Sequence, residues 1–73
     1  VVFIKIKFIR DQIETETEET VEIDRGMTVD RFLETRGIER EEVLVSRNGT
    51  IISGKHQLES GDEIKVMDVI AGG

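Results

Sequence analysis

The sequence predicts an α+β domain: a mixed sheet of four to five strands with one helix packed on one face. Three observations lead there. Apolar residues alternate with period two near both ends of the chain, which is the mark of half-buried strands. Helical spacing of apolar residues occurs once, in the middle. Turn residues divide the strands into two hairpins, one on each side of the helix, and a last single strand. Seventy-three residues allow one small core, so one helix covering one sheet face is the economical architecture.

The first strand is read from Val2 to Ile9, with Val2, Ile4, Ile6 and Phe8 on one face and Phe3, Lys5 and Lys7 on the other. Arg10-Asp11-Gln12 follows as a turn. A second strand, best defined at Thr20 to Ile23, returns antiparallel to the first. It is preceded by the acidic run Glu14-Thr15-Glu16-Thr17-Glu18-Glu19-Thr20. That run reads as a solvated edge protected by charge against aggregation; a docking site for a basic partner is the alternative.

The helix is expected from Val29 to about Arg36. Thr28 is a good N-cap, and Met27 and Phe32 have the spacing of a hydrophobic staple. Val29, Phe32, Leu33 and Arg36 share a face, and Gly37 is placed for a left-handed C-terminal cap. Residues 38 to 42 connect to a third strand, Val43 to Arg47. Asn48-Gly49 then marks a type I′ hairpin turn, because both central residues of that turn need positive φ. Thr50 to Ile52 returns, a polar loop follows in which Leu58 anchors to the core, and Ser60-Gly61-Asp62 turns into the last strand, Glu63 to Ile70. The first and last strands are the longest and most apolar. They belong side by side in the middle, parallel, because a helix-containing crossover separates them. Residues 1–69 are thus expected to form the domain and residues 70–73 a flexible tail.

Composition excludes several function classes. Sixteen acidic against ten basic residues give a net charge of −6, which repels a nucleic-acid backbone. With no cysteine there is neither a disulfide framework nor a thiolate metal site, and the single His56 cannot make a histidine cluster. No run has the apolar length to span a bilayer, and no signal-peptide pattern opens the chain. The expectation is a cytoplasmic protein, monomeric when free. Gly49-Thr50-Ile51-Ile52-Ser53-Gly54-Lys55-His56 matches the G-x-x-x-x-G-K pattern of phosphate-cradling loops. Yet its first Gly belongs to a hairpin turn, its middle is a strand, and His56 stands where a hydroxyl should meet Mg²⁺. No nucleotide site, metal site or acid–base pair is predicted.

Two features remain. By alternation Leu44 and Ser46 share the sheet face opposite the helix with Met67 and Val69, and Phe3 joins that face at one end. Met is adaptable in shape, so this face is a candidate contact surface for a protein partner. Met67 and Val69 continue through Ile70 and Ala71, which extend the candidate partner-binding set, into Gly72-Gly73. Two successive glycines lack any Cβ and make a thin thread that a narrow channel admits.

The block Gly61-Asp62-Glu63-Ile64 through Val69-Ile70-Ala71-Gly72-Gly73 resembles the small sulfur carriers of thiamine and molybdopterin synthesis, the ThiS/MoaD group. Gly26-Met27-Thr28-Val29, Leu33, and Val45 with Asn48-Gly49 add to the likeness, which covers nearly the whole domain. The resemblance implies the β-grasp, or ubiquitin-like, fold. It implies that an E1-like adenylating enzyme uses MgATP to activate the Gly73 carboxylate, that a persulfide donor converts it to a thiocarboxylate, and that a thiazole synthase or the large subunit of molybdopterin synthase receives the sulfur. The chain would then be a carrier and not an enzyme, with no cofactor of its own. Relatives that join a Gly-Gly carboxylate to lysines imply an alternative, a protein modifier; a non-covalent interaction module is the third reading.

Overall fold

The computed structural model describes residues 2–12 and 14–69. Its strands are β1 (Phe3–Asp11), β2 (Glu16–Asp24), β3 (Val43–Arg47), β4 (Thr50–Ile51) and β5 (Glu63–Asp68). The helix α1 spans Val29–Thr35, and a short 3-10 turn spans Arg40–Glu42. The five strands form one sheet in the order β2-β1-β5-β3-β4. β1 and β5 lie parallel at its centre, and the other neighbours pair antiparallel. This is the expected α+β architecture, a β-grasp fold.

The helix is short but fully terminated. The Thr28 hydroxyl accepts the Arg31 N–H at 3.2 Å, and the Thr28 carbonyl accepts that of Phe32. The other two amides of the first turn, Val29 and Asp30, donate to the carbonyls of His56 and Gly54 in the polar loop, both at 2.9 Å. The amides of Val29, Asp30 and Arg31, which have no partner within the helix, are therefore all satisfied, two of them only through tertiary contact. At the other end Gly37 has φ 69°, its N–H meets the Glu34 carbonyl, and the Ile38 N–H reaches back to that of Leu33. That pair of bonds is a Schellman cap.

Val29, Phe32 and Leu33 face Ile6, Phe8, Val45, Ile64 and Val66 of the sheet, with Leu58 anchored from the loop as expected. Phe8 and Phe32 meet edge to face with ring centroids 5.0 Å apart. The Arg36 guanidinium lies over both rings and pairs with Glu19 at 3.1 Å, tying the helix end to β2. Asn48 (φ 50°) and Gly49 (φ 90°) make the I′-type turn.

Several boundaries differ from the sequence reading: β5 ends at Asp68, short of the expected Ile70, and β4 at Ile51, short of Ile52. β1 runs on through Arg10 and Asp11, which were expected to turn, because both pair with β2 on one side and β5 on the other. β2 starts at Glu16 and includes most of the acidic run. Backbone pairing to an apolar neighbour outweighs the weak strand preference of Glu, and Lys7 and Arg36 pair with Glu18 and Glu19. Val2, expected on the core face, is exposed ahead of β1, where its carbonyl accepts the Arg25 N–H.

Candidate functional site

The sheet face opposite α1 follows from register. Leu44 on β3 sits across from Met67 on β5, and Met67 across from Asp11 on β1. Leu44 is 49 % exposed, Val69 is 46 % exposed and Met67 is half-buried. These three sit together beside the end of β5. Ser46 does not join the exposed surface: it is only 7 % exposed. It lies between Lys65 and Ile51 in register, and both side chains are long enough to overtop a serine. Phe3 is exposed on the same face, but it lies eight positions along β1 from Asp11, about 26 Å at 3.3 Å per residue. It belongs to the far end of the sheet.

Two apolar residues of this face were not singled out from the sequence. Ile51, 55 % exposed, pairs with Ser46, and half-buried Ile9 pairs with Lys65. The signal for Ile51 was present: a two-residue turn at Asn48-Gly49 places Thr50 opposite Arg47 and hence Ile51 opposite Ser46. The expected partner-binding residues Ile70 and Ala71, and the reactive pair Gly72 and Gly73, lie outside the described residues.

The end of β5 is held from several sides. Asp68 pairs with Val43, and the Val69 N–H donates to the Glu42 carbonyl at 2.9 Å. From β1, Arg10 Nη2 contacts the Asp68 carboxylate at 2.6 Å, and Nη1 donates to the Val66 carbonyl at 3.3 Å. At the opposite end of β5 the buried Asp62 carboxylate accepts the Glu59 N–H and meets Arg47 Nε at 3.2 Å. Asn48 Oδ1 and N–H close on the N–H and carbonyl of Glu63. The last strand is therefore fastened at both ends by side chains as well as by the ladder.

Comparison with known proteins decides the family. The sequence model of the ThiS family matches residues 6–73, a span that includes Gly72-Gly73. The chain belongs to the ThiS family. A ubiquitin from Caldiarchaeum subterraneum is similar in structure, with a TM-score of 0.70 at 14% identity, over 99% of this chain and 100% of that one. SAMP1 from Haloferax volcanii is similar with a TM-score of 0.67 at 18% identity, over 94% of this chain and 99% of that one. At these identities the likeness is one of fold, and it is the ubiquitin-like β-grasp fold. No curated protein sequence matches the chain.

ThiS-family proteins are small carriers, not catalysts. Among the described residues no group of His, Asp or Glu is arranged to hold a metal, and no buried side-chain nitrogen or oxygen lacks a hydrogen bond. The G-x-x-x-x-G-K segment holds a turn, the two-residue β4 and an irregular loop, with no helix to cradle phosphate. The Asp30 carboxylate lies against Gly54, so the backbone there already faces a negative charge. No helix among the described residues is long and apolar enough to cross a membrane.

Proposed function

We propose that this ThiS-family protein carries sulfur on the main-chain carboxylate of Gly73. The observation that supports the reading is the family match, which runs through Gly72-Gly73 on a chain without cysteine. A carboxylate is a poor electrophile. An E1-like partner with MgATP would convert it to an acyl-adenylate, releasing pyrophosphate. The terminal sulfur of a donor persulfide then displaces AMP, and a second thiol cleaves the acyl disulfide. This leaves a thiocarboxylate on Gly73 and a disulfide on the donor side. Catalysis and nucleotide binding belong to the partners, and Leu44, Met67 and Val69 supply an apolar surface for them beside the end of β5. The sulfur acceptor is a thiazole synthase or the large subunit of molybdopterin synthase.

The test is intact-mass spectrometry after incubation with the E1-like enzyme, MgATP and a persulfide donor. Sulfur carriage gives the increment of one oxygen-to-sulfur exchange, located on Gly73 by fragmentation. Pyrophosphate release without that increment refutes sulfur carriage. Lysine-linked conjugates that vanish on deletion of Gly72-Gly73 would instead mark a protein modifier, which shares the adenylate. Sulfur transfer to each purified acceptor then identifies the pathway.

A further inference from the structure

β5 is a central strand, but its last residues are not flanked equally. On the β3 side the backbone ladder reaches Asp68 through Val43 and is continued by the Glu42 carbonyl to Val69. On the β1 side the register among the described residues ends one pair earlier, at Asp11 opposite Met67. A side chain reinforces the ladder there. Arg10 directs one guanidinium nitrogen to the Val66 carbonyl and the other to the Asp68 carboxylate, with its side chain only 18 % exposed. On the opposite face Lys65 and Asp11 approach at 3.7 Å, but both are more than a third exposed and add little. A guanidinium fork serving two acceptors on one strand is a stiff connection, because its donors are planar and pre-oriented.

We propose that Arg10 is a positioning residue: with Asp68 it straps the end of β5 to β1, fixing the place of Val69, the residue that precedes 70–73 in the chain. The proposal rests on the carrier reading above. A partner that docks on Leu44, Met67 and Val69 must receive the carboxylate four residues beyond Val69. The position and direction of Val69 set how often the terminus meets the adenylation centre. Arg10 acts through Asp68 and Val66.

Two single variants and their combination test this, with two readouts. Arg10→Gln and Asp68→Asn should each speed amide hydrogen exchange at Asp68 and Val69 while Ile64, buried at the centre of β5, keeps its protection. Each should raise the KM for the carrier in adenylation roughly tenfold, the cost of re-ordering about one residue of backbone, with kcat within about twofold. The double variant should be no worse than Arg10→Gln alone, because that change already removes the contact to Asp68. Exchange that rises equally at Ile64 would make the pair a general stability element and overturn the proposal. A KM effect of Arg10→Gln that Asp68→Asn does not share would make Arg10 a direct partner contact, which also overturns it. Should the unmodified chain not be adenylated at all, the carrier reading fails and the exchange readout alone decides the strap.

Discussion

Replacing Asp62 should separate a charge contribution from a hydrogen-bond contribution at the start of β5. Its carboxylate is buried, accepts the Glu59 N–H at 2.8 Å and pairs with Arg47 Nε at 3.2 Å. Arg47 keeps a second partner, Glu59 at 2.7 Å, and is itself about a quarter exposed, so the full penalty of a broken buried pair does not apply. A charge-assisted hydrogen bond contributes about 1.5–3 kcal/mol. Asp62→Ala loses both interactions and should cost about 2–3 kcal/mol after discounting for water and Glu59. Asp62→Asn keeps an acceptor for the Glu59 N–H and should cost about 1 kcal/mol. A 73-residue domain has roughly 4–11 kcal/mol in total, so the alanine variant loses a large share. Its Tm should fall by roughly 10–20 °C. Urea unfolding at pH 7, read as a shift in midpoint at constant slope, measures both variants. An alanine variant within about 0.5 kcal/mol of the parent, or an asparagine variant as damaged as the alanine one, would refute this account of the turn.

Leu44→Asp should leave stability within about 0.5 kcal/mol, since the side chain is half exposed, yet slow adenylation by the E1-like partner. Pyrophosphate release at unchanged urea midpoint checks it, and an unchanged rate would remove this face from the docking surface. Lys7 hydrogen-bonds Glu18, and the charges of Glu18 and Glu63 add to that, raising its pKa above the ordinary lysine value of 10.5. A raised value means these pairs contribute fully below pH 10.5 and are lost as pH rises through the folded value. Stability should therefore fall less steeply above pH 10.5 in Lys7→Gln than in the parent, as followed by urea midpoints across that range.

The local punctuation of the chain was legible at the helix and at the second hairpin. Thr28 and Gly37 bracket the helix, Asn48-Gly49 turns the second hairpin, and the apolar length of the outer segments brought them together as the parallel centre. Each of these signals acts within a few residues or through bulk apolarity, so it can be read along the sequence. The errors arose where a residue's fate depends on a neighbour from elsewhere. Ser46 alternates onto the open face but is overtopped there by residues of two other strands. Phe3 shares that face but is a strand's length from Met67. Glu16 to Glu19 look unlike a strand until β1 is placed beside them.

Arg10 shows the division most clearly. In the sequence it is one of several charges near a turn, 58 residues from Asp68, and nothing local couples the two. The parallel register of β1 and β5, decided by how Ile6, Phe8, Ile64 and Val66 pack beneath α1, brings them to 2.6 Å. By itself the sequence determined the elements, their order, the family and the terminal Gly-Gly on which the proposed chemistry rests. Only the tertiary structure decided which side chains flank the end of β5 and which apolar residues stay on the surface beside it. Burial sets register, and a register that moves by one residue sends every side chain to the other face.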